Sequence, residues 1–173
     1  MAGLVHIYCG DGKGKTTAAV GLAVRAAGRG KRILIARFLK TDDSGEVKVF
    51  SYIPGITLLP CEKSFGFSWN MTPQIRQEAL EYYGGLFSRA WEQAASGFDM
   101  LVLDEVMAAC SQGFVEEKEL IFRLKSRPDK LEVVLTGRNP SKEILALGDY
   151  VTEMRCLRHP YERGIGAREG IEW

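Results

Sequence analysis

At 173 residues, the chain has the usual length of a single domain and can bury a sizeable core without disulfide bonds or a structural metal. A hydrophobic fraction of 46% and a charged fraction of 26% exclude a disordered, collagen-like or coiled-coil chain. The net charge of +1 argues against a nucleic-acid partner, but residues 1–40 carry eight Lys and Arg against one acid, which favours a small phosphorylated ligand.

Apolar runs of strand length alternate along the chain with segments that have a helical pattern. In chain order they are a strand at 4–8, a helix at 16–27, a strand at 32–39, a polar loop at 41–45, a weaker strand at 56–59, a helix at 73–95, a strand at 99–105, a helix at 116–125, a strand at 131–136, a short helix at 139–147 and a last strand at 149–154. This alternation predicts an α/β fold over residues 1–173, with a mostly parallel sheet and helices on both faces. Ligands of such sheets bind where the carboxyl ends of the strands meet the following loops.

The cellular location is predicted from what the sequence lacks. No apolar run approaches the roughly 18–20 residues that cross a bilayer, and the N-terminus has no basic start or long apolar core typical of a secretory signal. The four cysteines lie about fifty residues apart without a C-x-x-C pair, which indicates reduced thiols rather than a zinc site or a disulfide framework. We therefore expect a cytoplasmic protein without a membrane partner.

A glycine-rich segment joins the first predicted strand to the first predicted helix, which is the context of a phosphate-binding loop. Its residues, the candidate ligands of nucleotide phosphates, are Gly10, Asp11, Gly12, Lys13, Gly14, Lys15, Thr16 and Thr17. Glycines let successive backbone N–H groups converge on phosphate oxygens, Lys15 would neutralise phosphate charge, and the Thr16 hydroxyl would ligate Mg²⁺. The alternative is a flexible strand–helix turn.

This loop is shorter than the usual pattern. Gly10 and Gly14 enclose three residues instead of four, and Cys9 stands where the first glycine would be. The loop therefore predicts phosphate binding without implying ordinary chemistry at the γ-phosphate.

Two adjacent carboxylates, Asp104 and Glu105, end a strand that we expect to lie beside the first strand. Carboxylate oxygens are hard ligands that hold Mg²⁺ directly or through water, so together with Thr16 they predict a metal site. The alternative is an acidic N-cap pair for the next helix.

Residues 65–70, Phe-Gly-Phe-Ser-Trp-Asn, are here called the aromatic segment. Three aromatic side chains interrupted by Gly and Ser fit neither a strand nor a helix. Composition alone favours an aromatic plug over the edge of the core, and the functional alternative is a loop that presents flat apolar faces to a large planar ligand.

The residues that follow the last predicted strand are rich in Arg and Gly. The basic members and the histidine among them are Arg155, Arg158, His159, Arg163 and Arg168. They predict either a basic cover over an anionic site or a solvated face. The two histidines of the chain, His6 and His159, are interpreted as structural rather than catalytic.

In this order, the motifs resemble the ATP:corrinoid adenosyltransferases of cobalamin biosynthesis, whose P-loop NTPase-like (RecA-like) fold agrees with the predicted α/β architecture. The matching pieces are residues 10–17, Phe38-Leu39-Lys40, Gly66-Phe67-Ser68-Trp69, Leu103-Asp104-Glu105, Leu135-Thr136-Gly137-Arg138, Val151-Thr152-Glu153-Met154, His159-Pro160-Tyr161 and Gly170-Ile171-Glu172-Trp173. Each piece alone is weak evidence for this family, whereas the order of all the pieces over nearly the whole chain is specific for it.

The resemblance implies transfer of the 5′-deoxyadenosyl group of ATP to the cobalt of a reduced Co(I) corrinoid, with release of inorganic triphosphate. It assigns Lys15 to the leaving triphosphate, Arg138 to the nucleotide, and Thr16, Asp104 and Glu105 to Mg²⁺. It also implies that ATP lies on the shortened loop in the reverse sense, which exposes the ribose 5′ carbon to the corrin. No general base is needed, because Co(I) is already electron-rich.

For the aromatic segment, the resemblance implies that Phe67 and Trp69 press on the lower face of the corrin and displace its lower axial ligand. Loss of that donor makes Co(II) easier to reduce, and a reduced flavoprotein is the implied electron donor. A homodimer is also implied, although only three residues precede the first predicted strand, where members of the family can carry an additional covering segment.

Two other functional classes remain open on the residues alone. A P-loop kinase or ATPase would use the same loop but attack the γ-phosphate and release ADP. A non-catalytic carrier would bind ATP or a corrinoid and release neither product. The preferred corrinoid, an early diamide intermediate or complete cobalamin, does not follow from the sequence.

Overall fold

Strands and helices alternate along the chain in the computed structural model, which describes residues 2–66 and 71–172. The strands are β1 (Val5–Cys9), β2 (Ile33–Arg37), β3 (Ile56–Leu59), β4 (Met100–Asp104), β5 (Glu132–Thr136) and β6 (Tyr150–Glu153). The helices are α1 (Lys15–Ala27), α2 (Gly45–Phe50), α3 (Pro73–Ala95), α4 (Val106–Ser111), α5 (Glu117–Ser126) and α6 (Lys142–Leu145), followed by a 3-10 turn at Pro160–Arg163.

The six strands form one sheet in the order β3-β2-β4-β5-β1-β6, and every neighbouring pair is parallel. Strands β2 and β4 lie inside the sheet and are buried along their whole length, as their continuous apolar sequences predict. The edge strand β6 pairs with β1 and is exposed throughout. The predicted α/β class with a parallel sheet is confirmed.

Helices cover both faces of the sheet. On one face, Ala19 and Ala23 of α1 pack on side chains from the inner strands, such as Ile35 and Val102. Their small side chains recur every fourth residue, so the helix can lie close to the sheet. On the other face, the long helix α3 packs its buried aromatic and aliphatic side chains against strands β2 and β4.

The expectation that the Asp104 strand lies beside the first strand is wrong. Strand β4 pairs with β2 and β5, and β5 separates it from β1. Apolar patterns identify strands but do not set their order in a sheet, because any fully buried parallel strand has the same kind of sequence.

Within the described part of the chain, three short elements were not expected from the sequence: α2, α4 and the 3-10 turn. Each has six residues or fewer, which is too short for a helical pattern to be recognised. By contrast, the predicted start of α3 is confirmed, since the Thr72 hydroxyl accepts a hydrogen bond from the Ile75 N–H at 3.3 Å and Pro73 is the first helical residue.

Among the described residues, no helix combines the length and the apolar character that crossing a membrane requires.

The predicted polar motifs come together at one edge of the sheet, where the carboxyl ends of its parallel strands meet the loops that follow.

Candidate functional site

The glycine-rich residues 10–17, here called the phosphate loop, connect β1 to α1 and pack against the end of β6. Gly10 has a φ of 103°, and a Cβ atom at this position would lie 2.4 Å from the Met154 carbonyl oxygen. The Gly12 N–H donates to the same carbonyl at 2.7 Å. Gly14, with a φ of 113°, takes the N-cap position of α1. The loop therefore needs glycine both for its conformation and for its close approach to β6.

Lys15, the first residue of α1, folds back over the phosphate loop. Its ammonium group donates to the Gly12 carbonyl oxygen at 2.8 Å, and the residue is only 7% exposed. Burial lowers the pKa of this lysine, while the Glu105 carboxylate acts in the opposite direction. A buried ammonium whose only hydrogen-bond partner among the described residues is a carbonyl is well placed to gain from a phosphate oxygen.

Asp104, at the end of β4, is the centre of a polar cluster with Thr16, Lys40, Glu105 and Thr136. We call this set the Asp104 cluster. The hydroxyls of Thr16 and Thr136 donate to Oδ1 of Asp104 at 2.9 and 2.7 Å, and the Lys40 ammonium donates to its Oδ2 at 2.8 Å. Asp104 is 2% exposed, so these three partners, rather than water, stabilise its carboxylate.

The position of α1 explains how Thr16 reaches Asp104 although β1 and β4 are not neighbours. The helix packs against β5 and β4 as well as against β1, so its first turn lies above the end of β4. The predicted pairing of these two polar motifs therefore occurs through the helix rather than through adjacent strands.

Glu105 lies in the left-handed region, with a φ of 60°, at the N-cap position of α4. Its side chain makes no capping hydrogen bond, and its backbone N–H donates to the Thr136 hydroxyl at 2.8 Å. Its carboxylate lies 3.9 Å from the Lys40 ammonium. Because neither acidic side chain caps α4, the geometry favours a cation site over the alternative of an N-cap pair.

Lys40 and Thr136 were not assigned individual roles in the sequence analysis, yet both contact Asp104 directly. Each lies at or just beyond the carboxyl end of a buried strand, β2 or β5. That position was the available signal, because the carboxyl ends of parallel strands meet at the ligand-binding edge.

Arg37, the last residue of β2, is 1% exposed and supports the loop behind the Asp104 cluster. Its guanidinium donates to the Ser44 hydroxyl and lies 3.5 Å from the Glu46 carboxylate and 3.9 Å from that of Asp42. The arginine therefore holds residues 41–46, which form one wall of the cleft next to Thr16.

Two cavities border the phosphate loop. The first, of about 620 Å³, is lined by the first turn of α1, by residues 39–41 and 43–46, and by residues 170–172. The second, of about 740 Å³, lies between Lys13 and residues 155–172, here called the C-terminal segment. Three arginines line the second cavity: Arg155, Arg158 and Arg168. Both cavities are large enough for a substantial ligand beside the loop.

The C-terminal segment is attached to the phosphate loop at a few points. The Cys156 N–H donates to the Asp11 carboxylate at 3.1 Å, and the Lys13 ammonium donates to the Ile171 carbonyl at 3.0 Å. Backbone N–H groups, that of Cys156 first, lower the pKa of Asp11, and the charges of Arg138 and Lys15 act in the same direction. The predicted nucleotide residues Asp11 and Lys13 thus connect the loop to the segment above it.

Arg138 lies exposed, immediately beyond β5, and its charge acts on both Asp11 and Lys15. Phe67 and Trp69 lie outside the described residues. The described start of the aromatic segment, Phe65, packs on Tyr82 and Tyr83 with ring centroids 5.6 and 5.7 Å apart.

Within residues 2–66 and 71–172, no group of three or more His, Cys, Asp and Glu side chains could hold a metal ion. A cation at the Asp104 cluster would therefore have two carboxylates and a threonine hydroxyl as protein ligands. Such a sparse set of hard oxygens is typical of Mg²⁺ sites that phosphate oxygens and water complete.

Comparison with known proteins places these features in one family. A family model described as "ATP:corrinoid adenosyltransferase BtuR/CobO/CobP" matches residues 1–173. The Corrinoid adenosyltransferase of Escherichia coli (strain K12) is 33% identical over 178 residues, which span 99% of this chain and 86% of that protein. Corrinoid adenosyltransferase CobA of Salmonella typhimurium has the same identity and coverage. The Pseudomonas aeruginosa Corrinoid adenosyltransferase is 30% identical, over 99% of this chain and 84% of its own length.

Among solved structures, the chain resembles EssC (ATPases 2 and 3) from Geobacillus thermodenitrificans. The TM-score is 0.51 at 13% identity, over 97% of this chain and 35% of that chain. At this identity the similarity shows the fold alone, and that fold agrees with the P-loop NTPase-like architecture predicted from the sequence.

Proposed function

The chain belongs to the ATP:corrinoid adenosyltransferase family, and we propose that its phosphate loop and Asp104 cluster carry the reaction. As a member of this family it is an enzyme that transfers the 5′-deoxyadenosyl group of ATP to a reduced corrinoid, in adenosylcobalamin biosynthesis or salvage. The observation that supports the residue assignment is the meeting of Lys15, Thr16 and Asp104 at one end of the sheet, beside a cavity of about 620 Å³. We further propose that residues 1–173 act as one domain.

The proposed reaction exchanges one bond to the ribose 5′ carbon for another. An electron pair of Co(I) attacks this carbon, the Co–C bond forms, and the bond between the carbon and the triphosphate oxygen breaks. The electron pair of the broken bond leaves with the triphosphate, so negative charge accumulates on the leaving group. Groups that stabilise this charge in the transition state accelerate the reaction.

Lys15 and the phosphate loop supply that stabilisation in our proposal. The Lys15 ammonium, now bonded to the Gly12 carbonyl, turns to the phosphate oxygens, and the backbone N–H groups of the loop and of the α1 N-terminus converge on the same charge. A buried ammonium is a stronger electrostatic partner than an exposed one, because little water screens it.

No side chain needs to accept a proton, and the described histidines are engaged elsewhere. His6 lies 2.5 Å from the Glu132 carboxylate through its Nε2, and Nδ1 of His159 accepts the Tyr161 N–H at 3.2 Å. A kinase or ATPase would need a group that activates an acceptor or a water, and neither of these two histidines is available for this role.

The Asp104 cluster fits Mg²⁺. The carboxylates of Asp104 and Glu105 and the Thr16 hydroxyl face one point, and the Lys40 ammonium already places a positive charge among these oxygens. When bound there, Mg²⁺ would neutralise charge on the polyphosphate of ATP. Asp104 would hold it from the end of β4, with Thr136 fixing the orientation of the carboxylate.

We propose that Phe67 and Trp69 contact the corrin and favour the state without a lower axial ligand, which is easier to reduce. Phe65 supports this role, because its packing on Tyr82 and Tyr83 fixes the start of the aromatic segment to α3. Family membership also leads us to propose a reduced flavoprotein as electron donor, a second copy of the chain as partner, and the cytoplasm as location.

Incubation with ATP, Mg²⁺ and a chemically reduced corrinoid tests the proposed function. The visible spectrum should show a new Co–C bond, and ³¹P NMR should show triphosphate in equal amount. The matched pair of variants is Lys15→Ala, which should lose this activity, and Lys31→Ala, which removes an exposed ammonium bound to Asp99 at 3.1 Å and should keep it. Release of ADP instead of triphosphate would establish a kinase or ATPase.

A further inference from the structure

Lys40 occupies the position that a metal ion would take in the Asp104 cluster. Its ammonium lies 2.8 Å from Asp104 Oδ2, 2.9 Å from Thr16 Oγ1 and 3.9 Å from Glu105 Oε1. These three oxygens belong to the three residues proposed above as protein ligands of Mg²⁺. A lysine ammonium and a divalent cation cannot share this position, because their charges repel and their ligands are the same.

The backbone of Lys40 is fixed while its side chain is free to move. Phe38 is fully buried, and its N–H donates to the Asp104 carbonyl at 2.9 Å, which holds the end of β2 against β4. Leu39 has a φ of 59°, a strained conformation for a residue with a side chain, and this turn directs the next residue into the site. The Lys40 side chain is 31% exposed and borders the cavity beside Thr16 and Thr17.

We propose that Lys40 is an exchangeable counter-ion. In the nucleotide-free enzyme its ammonium pairs with Asp104 and offsets part of the negative charge of Asp104 and Glu105. When Mg²⁺ and ATP bind together, it moves to the polyphosphate. This inference rests on the proposed function, since it takes Thr16, Asp104 and Glu105 as the metal ligands. Its consequence is that the free enzyme binds divalent cations weakly, whereas metal and nucleotide together replace every contact that Lys40 gives up.

The flexible stem of lysine makes this exchange possible without movement of the backbone. Four methylene groups carry the ammonium, which has no fixed donor geometry and can turn from the carboxylates to phosphate oxygens in the adjoining cavity. The carboxylates stay in place during the exchange, because Thr136 donates to Asp104 Oδ1 and also accepts the Glu105 N–H.

The test measures metal binding to the nucleotide-free protein, with Mn²⁺ followed by electron paramagnetic resonance. Lys40→Met should bind Mn²⁺ about 10- to 100-fold more tightly than the wild type, the factor that corresponds to one hydrogen bond to a charged group. The same variant should bind ATP with Mg²⁺ more weakly, by isothermal titration calorimetry. Lys40→Gln keeps a hydrogen-bond donor but no charge, and it should shift both affinities in the same directions. It replaces Lys40→Met in the test if that variant folds poorly.

Opposite shifts in the two affinities are the signature of exchange. A permanent structural ion pair would weaken both affinities or change neither, and that result would overturn the inference. Lys31→Met is the matched control, because it removes an ammonium from the exposed pair with Asp99 and should change neither affinity.

A second substitution separates this inference from the proposed function. Asp104→Asn in the Lys40→Met background should abolish the tight Mn²⁺ binding. If tight Mn²⁺ binding persists without the Asp104 carboxylate, the assignment of the metal ligands is wrong. The proposed metal site is then refuted together with the role of Lys40. If Asp104→Asn abolishes Mn²⁺ binding in the wild-type background but Lys40→Met never strengthens it, the site stands and only the exchange is refuted.

Discussion

Two regions border the same cleft but are held in place in different ways. One is the phosphate loop together with the Asp104 cluster, and the other is the C-terminal segment. In the cluster, Asp104 is 2% exposed and bonded to three side chains at 2.7–2.9 Å. The C-terminal segment is largely exposed and reaches the rest of the chain through the phosphate loop, at Asp11 and Lys13.

This difference separates two tasks. Stabilising charge on a leaving group requires donors whose positions are fixed before the reaction, which the ends of buried parallel strands provide. Covering a large substrate requires a segment that can adjust, and weak attachment provides that. We therefore expect substitutions in the buried cluster to affect the chemical step, and those in the segment to affect binding and access.

The largest effect is expected for Lys15→Ala. Loss of one electrostatic donor to the leaving group typically costs about 10²–10³ in rate, and the loss should appear even when Co(I) is supplied chemically. The rate of Co–C bond formation in a single turnover measures it. A rate within a fewfold of wild type would remove the phosphate loop from the chemical step and erase the distinction between the two regions.

Asp104→Asn should raise the Mg²⁺ concentration needed for half-maximal rate by at least about tenfold. Substituting residues that only hydrogen-bond to metal ligands already lowers metal affinity by about 10–100-fold, and Asp104 is itself a proposed ligand. Glu105→Gln should have a smaller effect, because Glu105 is more exposed and lies 3.9 Å from the nearest cation. A magnesium titration of both variants decides this. Unchanged metal dependence in both would make the pair purely structural.

Phe67→Ala and Trp69→Ala should affect reduction more than transfer. The rate from Co(II) with a flavoprotein donor should fall by about tenfold or more, since about 59 mV in a one-electron potential corresponds to a factor of ten. Much of the activity should return when Co(I) is supplied chemically, because transfer itself uses the phosphate loop.

The matched control for this split is Phe87→Ala, which truncates a core aromatic side chain outside the aromatic segment, with its ring packed on Trp91. Truncating a buried Phe costs about 3–5 kcal/mol of folding stability, so Phe87→Ala should show a lowered melting temperature and equal losses in both assays. The same pattern in Phe67→Ala and Trp69→Ala would reduce the aromatic segment to a plug of the core.

Lys13→Ala should loosen the C-terminal segment with little effect on the Asp104 cluster. It removes the hydrogen bond to the Ile171 carbonyl at 3.0 Å and the contact with Glu172 at 3.4 Å. Limited proteolysis should cut residues 155–172 severalfold faster than in the wild type, while the melting temperature stays nearly unchanged. A large fall in melting temperature would show that the segment is part of the folded core.

The smallest effect concerns pH. Hydrogen bonds from the Arg168 side chain and backbone N–H lower the pKa of Glu172 to about 2, from an ordinary value of 4.5. A lowered carboxyl pKa stabilises the folded segment above about pH 4.5, and this contribution is lost as the pH falls towards 2. A ¹³C NMR titration should show one such carboxyl, which returns to its ordinary pKa in Arg168→Ala. An ordinary pKa in the wild type would mean that the contact does not persist in solution.

Local sequence patterns predicted the strands, the long helices and the phosphate loop, because each has a recognisable periodicity or spacing. They did not predict that β5 lies between β1 and β4, since burial on both faces gives all inner strands similar sequences. For the same reason the contact of Thr16 with Asp104 was expected from adjacent strands but arises from the position of α1. The place of Lys40 in the cluster depends on the turn at Leu39, which no pattern in the sequence indicates.

The identity of the bond that breaks in ATP tests the account most directly. In β,γ-methylene ATP a carbon replaces the oxygen between the last two phosphates, so the bond that a kinase or ATPase breaks cannot be hydrolysed. Adenosyl transfer breaks the bond at the ribose 5′ carbon and leaves that link intact. With chemically reduced corrinoid and Mg²⁺, we predict a Co–C bond in the visible spectrum and one methylene-bridged triphosphate per bond formed by ³¹P NMR. Failure to form any Co–C bond with this analogue, together with release of ADP from ATP itself, would contradict the account.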